Sequence, residues 1–162
     1  MANLNSMPLV LTTACFGMAS GIFFLLYCLE EPIYDPIFKK NASSADTELQ
    51  MRRTLTVLQQ LLTFRVPVVM VTLITSGIIS AVYRVATSGV APLPVLVAIG
   101  GLLVFVVSAI SVPSAITVFK NANPEALSGE VQSALAPIVR LHRNVGFLVA
   151  VTLIIQLTSI AF

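Results

Sequence analysis

Four long stretches of apolar residues dominate the chain, and most polar residues lie between them. They cover about residues 8–29, 61–83, 93–119 and 145–162. A helix needs about 20 apolar residues to cross about 30 Å of hydrocarbon. The last stretch spans comfortably only if its helix begins earlier, near Pro137, since proline suits the first turn of a helix. The pattern therefore predicts four spans, at about residues 8–29, 61–83, 93–119 and 137–161.

The spacing and length of these stretches determine the expected fold class. Lipid offers the backbone no hydrogen-bond partners, so a spanning segment of this length satisfies its own N–H and C=O groups as a helix. We predict an all-α, polytopic membrane protein, a single four-transmembrane-helix bundle over residues 1–162. Composition agrees, because only 10% of the residues are charged, against about 25% in a soluble domain.

The basic residues are divided very unevenly between the two sides of the predicted bundle. Arg84 stands alone on one side. The loops on the other side hold Lys39, Lys40, Arg52, Arg53, Arg65, Lys120, Arg140 and Arg143. The positive-inside rule then predicts that these loops face the cytosol and both termini do not. The same residues form no clustered stripe, which argues against a nucleic-acid partner and leaves membrane lipids as the expected surroundings.

Both loops on the basic side carry helix signals. Residues 43–46 offer short polar side chains able to cap a helix. Apolar residues then recur at helical spacing at Met51, Leu55, Leu58 and Leu62. We expect the second spanning helix to begin there, well before the membrane, and either to pack on its neighbours or to lie in the membrane plane. In the other loop, Asn123 and Pro124 predict the start of a short helix that Gly129 breaks.

Small and polar residues within the spans predict close helix contacts. Gly17 and Gly21 form a G-x-x-x-G pair in the first span. A second stripe of small residues consists of Ser76, Gly77, Ser80 and Ala81. Such residues let helix backbones approach closely in lipid. Gln156, deep in the last span, is expected to form an interhelical hydrogen bond.

Polar side chains gather where the spans meet the basic loops. The group includes Glu30, Glu31, Tyr34, Arg65, His142, Arg143 and Asn144, together with Asp35, Thr117, Lys120 and Arg140. In one interpretation they are helix-end anchors and ion pairs, with Arg65 paired to Glu30 or Glu31 and Arg143 taking the other acid. In the second they line a cytosol-facing pocket for a substrate, where His142 is an acid/base group and Arg65 or Arg143 holds an anion or enolate. Composition alone favours the first.

Several kinds of site are argued against by what the chain lacks. His142 is the single histidine, so a bis-histidine haem is excluded. No cluster of Cys, His and Asp has the spacing of a closed metal site. Neither a dinucleotide-binding G-x-G-x-x-G motif nor a P-loop is present. We therefore expect any catalysis to proceed without a metal or a bound cofactor.

Short motifs along most of the chain resemble those of a known family. The first span carries Gly-Met-Ala-Ser-Gly-Ile-Phe-Phe at residues 17–24 and is followed by a proline, at Pro32 or Pro36. The third contains Val-Pro at residues 112–113 before a polar loop, and the fourth opens with Leu-His-Arg-Asn at residues 141–144. In these features the chain resembles the small four-helix membrane proteins that include the fungal anthrone oxygenases and many bacterial relatives. Relatives often carry a tryptophan before that histidine, whereas this chain has none.

The resemblance implies a four-helix bundle and, for the characterised branch, cofactor-free oxygenation of an anthrone to a quinone. Two hypotheses follow. The first is an oxygenase that admits a lipophilic aromatic substrate from the membrane, with His142 as the base and Arg143 or Arg65 as the anion holder. The second is a non-catalytic membrane module, such as an accessory or assembly subunit or a lipid-binding protein. A homo-oligomer and a partner membrane subunit are both compatible with the sequence.

The predicted topology can be tested by cysteine accessibility in a Cys15→Ser, Cys28→Ser background. A cysteine at Ser44 or Ser128 should react with an impermeant thiol reagent only after the membrane is opened. A cysteine at Asn5 or Ser88 should react from the opposite side, because the positive-inside rule places these positions outside the cytosol. Labelling of the Ser44 and Ser88 positions from one side would mean that the second segment does not span.

Overall fold

The computed structural model describes residues 7–39, 44–62, 65–88 and 91–161, all of them in helices or the short segments beside helices. Five helices follow in chain order: α1 (Met7–Phe38), α2 (Ala45–Leu62), α3 (Arg65–Ser88), α4 (Pro92–Lys120) and α5 (Ser128–Ala161). No strand occurs in these ranges. Asn5, Lys40, Ser43 and Phe162, which enter the predictions above, lie outside the described residues.

Four of these helices, α1, α3, α4 and α5, are long and apolar enough to cross a membrane. Their outer faces carry large apolar side chains, such as Val10, Phe24, Phe105 and Phe147, each close to half exposed or more. A surface of this kind is suited to lipid rather than water. The predicted fold class is therefore confirmed, and the chain is a multi-pass integral membrane protein.

Two of the helices extend further than the sequence pattern predicted. α1 continues through Pro32 and Pro36 to Phe38 instead of ending near residue 29. α5 begins at Ser128 instead of near Pro137, and its 34 residues extend about 51 Å at 1.5 Å per residue. That length exceeds the hydrocarbon core by about 20 Å. The extensions are stable because they bury a second apolar cluster beyond the membrane core.

The cluster beyond the membrane core is built around α2. This helix buries Met51, Leu55, Leu58 and Leu62, the four residues that the spacing predicted. It packs against α1, α3 and α5, and its apolar cluster includes the buried residues Ile33, Val131 and Leu135 together with Phe119 of α4. The interpretation of α2 as a packed helix is thus confirmed. Whether α2 continues into α3 stays a prediction, because residues 63–64 lie outside the described ranges.

The ends of α2 and of its neighbours are held by specific hydrogen bonds. The Ser44 Oγ accepts a bond from the Thr47 N–H at 3.3 Å, which caps the start of α2. Gln59 Nε2 donates to the carbonyls of Phe119 and Ala122, at 3.0 and 2.9 Å, where α4 ends. Carbonyls at a helix C-terminus lack partners within the helix. Gln59 therefore adds a donor at the end of α4, where the Ala122 N–H also bonds the Phe119 carbonyl at 3.3 Å.

The same arrangement recurs at the end of α1. Gln132 Nε2, on α5, donates to the carbonyls of Pro36 and Ile37 at 3.0 and 2.8 Å. These are also carbonyls left unpaired by the end of a helix. Two glutamine amides thus tie α2 to α4 and α5 to α1.

The predicted short helix in the loop before α5 is not formed. The Asn123 Oδ1 instead accepts a hydrogen bond from the Glu125 N–H at 2.9 Å, and α5 begins at Ser128 with Gly129 in its first turn. An asparagine side chain that bonds the backbone two residues ahead stabilises a turn in place of a helix. The helix prediction here was wrong for that reason.

At the opposite end of the bundle a polar layer crosses the interior. The fully buried Gln156 donates from Nε2 to the Thr13 Oγ1 at 3.0 Å. Arg84 Nη1 donates to the Gln156 Oε1 at 3.3 Å and to the Ser159 Oγ at 3.2 Å. The predicted interhelical bond of Gln156 is confirmed, and the layer joins α1, α3 and α5. This end contains Arg84, and the loops rich in Lys and Arg lie at the other.

The two stripes of small residues differ in what they pack against. A Cβ added to Gly77 would lie 3.3 Å from the Cys15 Cβ, and Ala81 is 2% exposed. The second stripe therefore mediates the predicted close contact, between α3 and α1. A Cβ at Gly17 or Gly21, in contrast, would meet no atom of the described chain within 4 Å. The expected contact at the G-x-x-x-G pair is not formed within the bundle.

Glycine substitutions test this packing. A Cβ at Gly101 would lie 2.8 Å from the Ile78 Cγ1 and 3.0 Å from the Phe16 Cζ. We expect Gly101→Ala to destabilise the protein by about 1–3 kcal/mol through overpacking, less the gain of up to about 1 kcal/mol in helix propensity. The measurement is the midpoint of thermal unfolding in detergent, followed by circular dichroism.

Gly21→Ala is the matched control, because the same change there meets open space. It should leave the midpoint unchanged or raise it slightly, since alanine favours the helix. A lower midpoint for Gly21→Ala than for Gly101→Ala would contradict the packing described here.

Candidate functional site

The interior of the bundle holds one buried pair of ionisable side chains among the described residues. Glu30, on α1, is 2% exposed, and His142, on α5, is 8% exposed. The His142 Nδ1 and the Glu30 Oε1 lie 2.5 Å apart, a short hydrogen bond. The residues are 112 positions apart in the chain, so the pair depends on the packing of the first spanning helix against the last.

Helical periodicity explains why these two side chains meet. On α1, Leu26, Glu30, Ile33 and Ile37 lie on one buried stripe at spacings of three and four residues. On α5, His142 lies on a stripe with Ile138, Val145 and Val149. The two stripes face each other, since α1 packs directly against α5. Both polar residues are therefore carried inward by apolar neighbours.

The pair lies further from the ends of its helices than the sequence suggested. His142 follows Ser128 by fourteen residues, about 21 Å along α5 at 1.5 Å per residue. Glu30 is followed by two further turns of α1, which ends at Phe38. The pair therefore does not belong to the charged rim at the helix ends. It lies between the apolar cluster around α2 and the core of the spans.

The hydrogen bond sets the state of the imidazole ring. When Glu30 is ionised, its carboxylate accepts the bond and Nδ1 donates it, so that a neutral ring carries its lone pair on Nε2. Nε2 makes no hydrogen bond to a described residue. The Glu30 Oε2 also makes no hydrogen bond. It is the one side-chain N or O atom in the described ranges that is both sealed from solvent and without a partner. Because the unbonded His142 Nε2 is not sealed in this way, it is accessible from the cavities beside it.

An apolar cavity of about 130 Å³ lies against His142, between α1, α3, α4 and α5. We call it the His142 cavity. Of its described lining residues, only His142 and Ser108 have polar side chains. The others include Phe23, Leu26, Leu62, Val66, Met70, Ile116 and Ile138. Leu62 belongs to α2, so the cluster beyond the membrane core closes one end of the cavity.

A second cavity, of about 370 Å³, lies on the other side of His142, between α1 and α5. Arg143 and Tyr27 line it together with His142. The guanidinium carbon of Arg143 is 3.4 Å from the ring centroid of Tyr34 and 4.9 Å from that of Tyr27. A cation over aromatic faces in this way is stabilised by the ring quadrupoles. Arg143 is thereby held beside the pair, outside the His142 cavity.

The ion pairs proposed from the sequence are not formed. Glu30 is bonded to His142, not to an arginine, and Arg143 stacks on tyrosines. Arg65 is exposed at the start of α3 and makes no ion pair to a described acid. The prediction failed because Glu30 faces the bundle interior, whereas the arginine side chains lie at its outer surface.

The remaining sequence-predicted residues divide by exposure. Tyr34 is half-buried and stacks on Phe38, with ring centroids 4.8 Å apart. Glu31 and Asn144 are exposed. The structure thus brings Glu30, His142, Arg143 and Tyr34 together, and leaves Glu31, Asn144 and Arg65 on the surface.

Two features of the site were missed from the sequence. The first is the pairing of Glu30 with His142, which the inward stripe on each helix would have indicated. The second is Ser108, which lines the cavity and makes no hydrogen bond to a described residue. No pattern distinguished Ser108, because α4 is apolar on all sides around it. No group of three His, Cys, Asp or Glu residues in the described chain is placed to hold a metal ion.

No family model matches the chain, no curated protein matches its sequence, and no solved structure matches its fold. The fold and the site together define a multi-pass α-helical membrane protein with a buried carboxylate–histidine pair beside an apolar cavity.

The pairing of Glu30 with His142 can be tested by replacing one of the two residues and then both. His142→Leu leaves the Glu30 carboxylate buried without a partner, which we expect to cost about 3–5 kcal/mol. The double variant Glu30→Leu, His142→Leu should recover most of that loss, because apolar side chains replace a buried pair at little cost. Unfolding of the purified protein in detergent, followed by circular dichroism, provides the measurement.

Glu31→Leu serves as the control, since Glu31 is exposed and should change stability by less than about 0.5 kcal/mol. If the double variant were no more stable than His142→Leu alone, Glu30 and His142 would not be coupled as described.

Proposed function

We propose that this protein is a membrane enzyme, a cofactor-free oxygenase that acts on a lipophilic aromatic substrate with an acidic C–H bond. The observation that carries the proposal is the His142 Nε2, an unbonded basic nitrogen beside an apolar cavity, with Nδ1 held by a buried carboxylate. A base oriented by a second group is the arrangement that general-base catalysis requires. The resemblance to anthrone oxygenases points to the same chemistry.

The proposed reaction begins with proton transfer. Nε2 of neutral His142 takes a proton from the methylene carbon of an anthrone, and the electron pair of that C–H bond forms the enolate. The ring becomes an imidazolium whose charge is balanced by Glu30, in the manner of the aspartate in a catalytic triad. The apolar walls strengthen the attraction between imidazolium and enolate, because little water screens it.

Oxygen completes the reaction without help from a metal. The enolate transfers an electron to O₂, and the two radicals combine at the former methylene carbon to form a peroxide. Protonation by the imidazolium gives a hydroperoxide, and loss of water from it gives the quinone carbonyl. One anthrone and one O₂ thus give one quinone and one water. O₂ is apolar and reaches the site through the lipid.

Arg143 does not hold the enolate in this proposal, because it does not line the His142 cavity. It borders the second cavity, which His142 also lines. Arg65 is exposed and lines neither cavity, although its neighbours Val66 and Pro67 line the His142 cavity. In the His142 cavity itself, the imidazolium is the cation that stabilises the enolate.

A second candidate function is a non-catalytic membrane module. The open space beside Gly17 and Gly21 favours it, because small residues on an outer helix face allow a partner helix to approach closely. Purification in a mild detergent distinguishes the two candidates. A partner chain in constant ratio supports the module, and quinone formation by the isolated chain supports the enzyme.

The enzymatic proposal predicts quinone formation from anthrone and O₂ by the purified protein, with a chelator present. His142→Ala should lower the rate over background by about 10²–10⁴-fold, because it removes the general base. Glu30→Gln should lower it by more than about tenfold, because the amide neither orients the ring correctly nor stabilises the imidazolium. Quinone absorbance and O₂ uptake provide two independent readouts.

Asp35→Asn is the matched control for Glu30→Gln, since it makes the same chemical change on the exposed surface of the same helix. It should leave the rate unchanged. An unaltered rate in His142→Ala would exclude His142 as the base and with it the mechanism.

A further inference from the structure

The His142 cavity continues towards the lipid-facing surface. A neighbouring cavity of about 180 Å³ shares four lining residues with it, Val71, Ile74, Ser108 and Val112. Its other described lining residues are Phe105, Ala109 and Pro113, all exposed. Every one of these residues belongs to α3 or α4. We call this outer cavity the α3–α4 cleft.

The cleft opens at the depth of the hydrocarbon. Val112 precedes Lys120, the end of α4, by eight residues, about 12 Å at 1.5 Å per residue. Val71, at the outer wall, is 60% exposed. A side chain exposed at this depth contacts acyl chains, so the cleft leads from the bilayer interior and not from water.

The sizes of the two cavities indicate what they hold. An apolar cavity of about 150 Å³ accommodates one benzene ring. The His142 cavity, at about 130 Å³, is therefore sized for a single ring. A ligand larger than one ring fits only if it extends into the cleft. Ser108 stands where the two spaces join, since it lines both.

Ser108 supplies the polar group at that junction. Its hydroxyl makes no hydrogen bond to a described residue, and apart from His142 it is the one polar side chain in the described lining of the His142 cavity. A free hydroxyl that borders an apolar space is available to bond a ligand oxygen there. A ligand with a carbonyl or hydroxyl oxygen at the junction therefore gains a hydrogen bond from Ser108.

We propose that an aromatic ketone or phenol larger than one ring enters from the bilayer through the α3–α4 cleft, and that Ser108 is its positioning residue. The ligand lies across the junction, with one ring in the His142 cavity and its oxygen on the Ser108 hydroxyl. The inference rests on the proposed function in taking this space as the substrate site. Entry and positioning are nevertheless independent of any chemistry at His142.

Photolabelling with benzophenone tests ligand entry and positioning separately from the chemistry at His142. Benzophenone is an aromatic ketone that dissolves in bilayers, carries no C–H bond acidic enough to form an enolate, and on illumination couples to C–H bonds next to sulfur. The methionines provide the reporters. Met70 lines the His142 cavity and is 7% exposed, Met51 is 2% exposed and lines no described cavity, and Met18 is 60% exposed to lipid. Labelling in phosphatidylcholine vesicles is located by mass spectrometry of peptides.

In the unchanged protein, Met70 should be labelled well above Met51, despite the low exposure of both. Ala109→Trp, which fills the mouth of the cleft at a residue that does not line the His142 cavity, should reduce Met70 labelling at short illumination at least fivefold, without affecting Met18. Ala109→Phe, at the same position, should have the same effect. Val106→Trp is the matched control, since Val106 is 48% exposed and lines neither space, and it should leave Met70 labelling unchanged.

The positioning role of Ser108 is tested in the same assay through the apparent affinity of the protein for benzophenone. Ser108→Ala should raise the benzophenone concentration for half-maximal Met70 labelling about threefold to tenfold, the equivalent of one hydrogen bond. Ser108→Thr, which keeps the hydroxyl, should restore it. Circular dichroism confirms that each variant is folded.

Equal labelling of Met70 and Met51 would overturn the proposal, as would full labelling of Met70 in both mouth-filling variants or an unchanged half-maximal concentration in Ser108→Ala. None of these results would bear on turnover of anthrone, and a failure of turnover would leave the labelling result standing.

Discussion

Lipid neither donates nor accepts hydrogen bonds, and this constraint organises the molecule. The four spans are helices because helices alone satisfy the backbone within one segment. Side-chain hydroxyls such as those of Thr12 and Thr13 bond the carbonyl four residues earlier. Gln156 finds partners on two other helices. The Ser108 hydroxyl and the His142 Nε2 make no hydrogen bond to a described residue, and both residues line the same cavity.

The interior is divided into two apolar clusters with the Glu30–His142 pair between them. One cluster holds the spans together through residues such as Phe16 and Val104. The other joins the extended ends of α1 and α5 to α2. This division explains how the Glu30 carboxylate stays buried away from water. Each cluster shields the pair from one side, and the histidine supplies the one bond that the carboxylate makes.

Periodicity made much of this structure predictable. The spacing of Met51, Leu55, Leu58 and Leu62 predicted the buried face of α2, because one face of a helix repeats every three or four residues. Helix boundaries were less predictable. Pro32 was expected to follow the end of α1, but burial of Ile33 and Ile37 against α2 offsets the backbone bonds that proline removes. That gain depends on a segment distant in sequence.

The candidate site was predictable only in part, for a similar reason. His142 was recognisable as the single histidine, and the stripe shared with Leu26 and Ile33 marks Glu30 and not Glu31 as the inward acid. Ser108 could not be recognised, because α4 has apolar residues on all sides and its orientation is set by contacts with α3 and α5. Where a helix lacks a polar face, sequence does not indicate which residues point inward.

The glutamine bonds at the helix ends have a consequence for how the protein responds to its surroundings. Gln59 and Gln132 are neutral, and each donates two bonds to backbone carbonyls. The join between α2, α4, α5 and α1 is therefore not held by paired charges, in contrast to the exposed contact between Lys39 and Asp35. Ionic strength and the fraction of anionic lipid act on charges and leave neutral amides almost untouched. The glutamine bonds should thus persist in membranes of very different charge, and the charged contacts of the described residues at this join are those of Arg52 with the Pro124 carbonyl and Arg140 with the Phe38 ring.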